Sequence, residues 1–135
     1  MDMQTRLLMV AAVVECLAGA ALILFPARAI TLLLDAEPGS AGSMIARVGG
    51  VALLALGVAC AGAAAELAGP ARTWPVIAIT LYNAGAGLAL VGFAVRGMAD
   101  GPAVWIAGIF HVALASAFAT LAFAQVHAGI RRRAA

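Results

Sequence analysis

Five polar or ionisable residues stand within otherwise apolar stretches of this chain: Glu15, Arg47, Tyr82, Asn83 and His111. A glutamate and a histidine can take up and release protons, and an asparagine can donate and accept hydrogen bonds at once. Grouped together, such side chains have the chemistry of a proton site or of a small-molecule site inside a membrane protein. Tyr82 fits either a core position or a hydrogen-bond partner of that group. The helical neighbours of Glu15 on one face are Ala11, Ala12, Ala18, Gly19 and Leu22, mostly small, so the carboxyl is expected to point into a helix contact. The structural alternative is that Glu15 pairs with Arg47 or bonds to His111, while Asn83 only ties two helices together.

Other chemistry has less to rest on. His111 and His127 are sixteen residues apart, and Glu15 with His111 would supply only two ligands, so no metal site is expected. Cys16 and Cys60 lie in apolar runs without metal or redox spacing and read as small buried hydrophobes. No phosphate-cradling glycine loop, nucleophile elbow, zinc pattern or haem attachment sequence occurs. No catalytic residue is therefore assigned, and nothing argues for an enzyme. No cofactor is expected, although a bound lipid, quinone or pigment is compatible with such an interior.

The elements that must position these residues follow from composition. Of 135 residues, 65% are hydrophobic and 10% charged, where a soluble domain has roughly half and about a quarter. Eight arginines and six acids cannot cover the surface of a soluble domain this small, so the solvent for most of the chain must be lipid. Four apolar runs, at about 7–25, 43–67, 75–95 and 103–126, are each long enough to cross a bilayer as a helix. Pro26, Gly69-Pro70 and Gly101-Pro102 mark run ends, and Pro75 suits a first helical turn. The segment 27–42 is apolar only at Ile30-Thr-Leu-Leu-Leu34, too short to span, and reads as a short interfacial helix. Short connections make neighbouring spans antiparallel, so the expected fold is all-α: an integral membrane four-helix bundle, up-down-up-down, forming a single domain over residues 1–135. The first run lacks a small-residue cleavage site and is expected to be retained.

Orientation is read from the arginines, since the chain has no lysine. Arg6, Arg72 and the triplet Arg131-Arg132-Arg133 fall on the side of the termini; Arg28, Arg47 and Arg96 fall on the other, with Asp35, Glu37 and Asp100. Five against three places both termini in the cytoplasm, as a multi-pass protein of the bacterial inner membrane. Trp74 and Trp105 then sit at opposite interfaces. The triplet reads as a topology anchor, and no nucleic acid is expected as a partner. Rise per residue puts Glu15 and Asn83 at one depth, His111 roughly 8 Å nearer the opposite surface and Arg47 further out again.

Small residues at four-residue spacing supply thin helix faces: Ala46 with Gly50, Ala55 with Ala59 and Ala63, Gly85 with Ala89, and Ser116 with Thr120 and Ala124. The first span ending Leu22-Ile-Leu-Phe-Pro26, followed by Arg47-Val-Gly-Gly-Val-Ala-Leu-Leu-Ala-Leu-Gly57, resembles the small four-helix DoxX-like membrane proteins of bacteria over roughly the first half of the chain. That resemblance implies no single activity, and at most a role beside membrane redox enzymes. A glutamate midway along the first of four spans also resembles the small multidrug-resistance transporters, but the likeness stops at Glu15. The leading expectation is a non-catalytic accessory or assembly subunit that packs against other membrane subunits or against itself. The alternative is a proton-coupled carrier or hydrophobic-ligand-binding protein built on the Glu/His seam.

Overall fold

The computed structural model describes residues 1–66 and 72–134, with side chains through 124. The chain stop at 69–70, His127 and the arginine triplet 131–133 lie outside the described residues or side chains. Among the described residues there are five helices: α1 (Met3–Leu24), α2 (Pro26–Leu34), α3 (Gly39–Ala65), α4 (Thr73–Val95) and α5 (Val104–Ala134). α1, α3, α4 and the Val104–Ala124 part of α5 are long and apolar enough to cross a membrane. The 22 residues of α1 rise roughly 33 Å, a full hydrocarbon layer. Helices α1 and α3 begin about four residues ahead of their apolar runs. Backbone hydrogen bonding continues past the point where side chains turn polar, so a helix outlasts its lipid-facing portion.

The start of α1 is capped: Asp2 accepts from the Thr5 backbone N–H at 2.6 Å. Its end is a sharp corner at Phe25, after which Pro26 opens α2. Asp35, at φ 53°, closes α2 in the left-handed region. The α2 backbone is pinned to the far end of the bundle by Ala103 N–H donating to Leu32 O at 3.0 Å. Gly101 allows this approach, because a Cβ there would strike the backbone of Leu32 and Leu33.

The packing is inverted relative to a soluble protein. Leu17, Val48, Val58, Leu81, Leu88 and Ile106 face outward, while Ala11, Ala12, Ala46, Ala63 and Ala64 are inside. Lipid accepts large apolar side chains as readily as an interior does, so close backbone approach decides what is buried. The most extensive contacts join α1 with α3 and α4 with α5. In the first pair Gly19 lies against Gly50, and Gly57 against Cys16. In the second, Gly87 lies against Val112 and Gly108 against Val91. The two pairs meet through side chains, with Leu8, Ile79, Leu114 and Phe118 buried between them.

Of the four small-residue series read from the sequence, the Ala46–Gly50 face is buried. Ala55, Ala59, Gly85, Ala89, Ser116, Thr120 and Ala124 are exposed on the outside of the bundle; Ala63 is buried. Trp74 and Trp105 are exposed at the starts of α4 and α5, which enter from opposite sides.

Candidate functional site

Glu15 reaches the space between the two helix pairs from the middle of α1. Its side chain is 0% exposed, and neither carboxyl oxygen has a hydrogen-bond partner. The Tyr82 hydroxyl on α4 and the Cys60 thiol on α3 lie within electrostatic reach of it. The Tyr82 hydroxyl is the donor that faces the carboxyl, at a range longer than a closed hydrogen bond. Small neighbours on α1, Ala11 and Ala12, leave room for the carboxyl but offer it no donor.

The amide of Asn83 is oriented by its own helix. Its Nδ2 donates to Ile79 O at 2.8 Å, one turn back. The amide oxygen Oδ1 is thereby turned to His111 Nδ1 at 2.7 Å, across the α4–α5 contact. Because Oδ1 can only accept, the proton of a neutral imidazole sits on Nδ1, and Nε2 is left as an acceptor. Tyr82 stands edge-on to the same ring, with centroids 5.6 Å apart and planes at 87°. Phe110 flanks it at 6.1 Å. The imidazole is thus fixed on two sides and by one hydrogen bond.

Glu15, Tyr82, Asn83 and His111 therefore share one region of the interior, with Tyr82 between the carboxyl and the imidazole. His111 does not itself meet the carboxyl: its ring contacts are Asn83, Tyr82 and Phe110. Arg47 is elsewhere. It is exposed at the start of α3, and its Nε donates to Ile23 O at 3.2 Å, near the end of α1. Neither structural partner offered by the sequence reaches Glu15: Arg47 serves the α1 terminus, and His111 serves Asn83. Among the described residues no three His, Cys, Asp or Glu groups gather as metal ligands.

A second polar cluster gathers at the end of the bundle that holds the N-terminus. Arg72, at the foot of α4, is 6% exposed and reaches across three helix ends. It donates to Ala63 O at 2.8 Å and Ala64 O at 3.3 Å, both on the last turn of α3. It also donates to Thr5 Oγ1 at 2.8 Å and pairs with Asp2 at 3.2 Å. An aspartate at position 2 suits an N-cap, but no sequence pattern announces that Arg72 will join it and Thr5 to the Ala63 and Ala64 carbonyls.

Fold and site define a class: a multi-pass membrane helix bundle with a buried acidic centre between two helix pairs. No known family, curated protein or solved structure matches the chain, so the fold and these residues carry the functional argument alone.

Proposed function

We propose that the protein is a small membrane carrier or binder of a hydrophobic ligand. In this reading Glu15 takes up a proton or accepts a hydrogen bond from the guest. The observation that carries this is the Glu15 carboxyl, fully buried with both oxygens unsatisfied. Leaving a polar group in that condition costs about 1–3 kcal/mol, and more if it is charged. An ionised carboxylate without a cation is excluded from such a medium on cost, so the acid carries its proton or meets a donor. Tyr82, which faces the carboxyl and stands edge-on to the His111 ring, would be the group to pass a hydrogen bond between them. The chemistry suits an amphipathic ring or lipid-like molecule with a donor group, a quinol or pigment among them.

Native mass measurement of protein released gently from membranes tests the reading. Wild type is expected to carry a small apolar adduct, and Glu15→Met, which has no acceptor oxygen, to lose it while keeping its helix content. An adduct retained in full by the variant would remove Glu15 from the role.

A second reading, an accessory or assembly subunit, rests on a different observation. Gly49, Gly62 and Gly85 would each accommodate a Cβ with nothing within 4 Å, and Ala55, Ala59 and Ala89 are exposed. These thin outward faces suit a second membrane helix, from another subunit or another copy. A strictly solitary monomer in lipid would count against it. The arginine distribution supports both termini in the cytoplasm, and the DoxX-like resemblance of the first half supports a bacterial inner-membrane setting.

A further inference from the structure

The corner between α1 and α2 forms an open cleft of about 390 Å³ on the membrane surface opposite the chain termini. Arg28 and Arg47 both line it, with Ser43, Leu24 and Phe25, and no acidic residue does. Arg28 makes no hydrogen bond or ion pair within the described chain. Arg47 uses only its Nε, on Ile23 O, which leaves its two terminal nitrogens directed elsewhere. The Ala27 N–H makes no backbone bond to Ile23 O one turn back. Pro26 has no N–H, and the first backbone bond of α2 is Ala29 N–H to Phe25 O. Two guanidinium groups and the free amides of Ala27 and Arg28 therefore surround one cleft without a counter-charge.

Like charges held together at a membrane surface repel unless an anion lies between them. A guanidinium matches the two oxygens of a phosphate with parallel hydrogen bonds. The cleft also has an apolar edge: Leu24 and Phe25 are exposed at its rim, at the end of a helix long and apolar enough to cross a membrane. From this combination we infer that the α1–α2 corner is a binding site for the phosphodiester of an anionic phospholipid, gripped by Arg28 and Arg47. It is separate from the Glu15 centre, since it lies at the far end of α1 and on another face.

Native mass spectrometry of the full chain in mild detergent, titrated with phosphatidylglycerol or phosphatidylcholine, tests this. One phosphatidylglycerol is expected to be retained per chain in preference to phosphatidylcholine, with at least tenfold weaker retention in the double variant R28Q/R47Q. Arg28→Gln alone removes no internal hydrogen bond, so its fold is safe, and it should give an intermediate loss. Displacement by millimolar inorganic phosphate would keep the anion site and overturn the lipid as its source. Equal retention by wild type and both variants, or no preference between the two lipids, would overturn the site itself.

Discussion

Arg72 and Glu15 are both buried ionisable side chains, and the molecule treats them oppositely. Arg72 has every arm occupied: two carbonyls at the end of α3, a threonine hydroxyl and an aspartate at the start of α1. It sits near the membrane surface, where its charge costs little, and it ties together the ends of α1, α3 and α4. Glu15 sits at mid-span with no closed hydrogen bond to either oxygen, and with only the Tyr82 hydroxyl near it as a donor. One residue satisfies its surroundings and the other is left unsatisfied by them. The difference separates a group kept for the fold from a group whose retention the fold does not explain.

Removing each side chain should therefore move stability in opposite directions. Arg72→Ala orphans the Ala63 and Ala64 carbonyls and the Thr5 hydroxyl, and should cost about 3 kcal/mol in thermal or denaturant unfolding in detergent. Arg72→Lys keeps the charge but not the fork of donors and should recover only part of that loss. Glu15→Met replaces an unsatisfied acid with an apolar side chain of similar length and should stabilise the bundle by about 1–3 kcal/mol. A destabilised Glu15→Met would mean that the carboxyl has a structural partner, and the contrast with Arg72 would fail.

The smallest effect concerns the rim of the Arg72 cluster. The Thr5 backbone N–H, then the Thr5 hydroxyl and then Arg72 hold the exposed Asp2 carboxyl below the ordinary aspartate value of 3.8. A group depressed in the folded state stabilises above its unfolded pKa, and that contribution disappears as pH falls through the folded value. Wild type should thus show a shallow loss of stability below about pH 3.8 that is absent in Asp2→Asn. An identical acid limb in both proteins would show that Asp2 adds nothing to the latch.

The two helix pairs explain why the interior was only partly legible. Polar outliers are visible in an apolar sequence, so Glu15, Tyr82, Asn83 and His111 could be singled out without coordinates. Their partners could not be. Arg47 has the right charge for Glu15 but enters the bundle at the wrong level, and it serves the α1 terminus instead. The glycines at the true contacts, Gly19, Gly57, Gly87 and Gly108, are no more conspicuous than Gly49, Gly62 or Gly85, which face outward. Small residues are abundant on every face, and lipid is as apolar as the protein interior, so no amphipathic pattern marks the inward side.

The number of spans, their helical form and the short surface helix between the first two were determined by the sequence alone. Lipid offers no hydrogen bonds, so a long apolar run must satisfy its backbone within itself, and length and hydropathy then suffice. Which helix faces pair, whether Arg72 meets Asp2 and Thr5 and whether Glu15 finds a donor depend on contacts between residues far apart in the chain. Those are settled by the packed helices, because they turn on how closely two backbones can approach rather than on transfer into lipid.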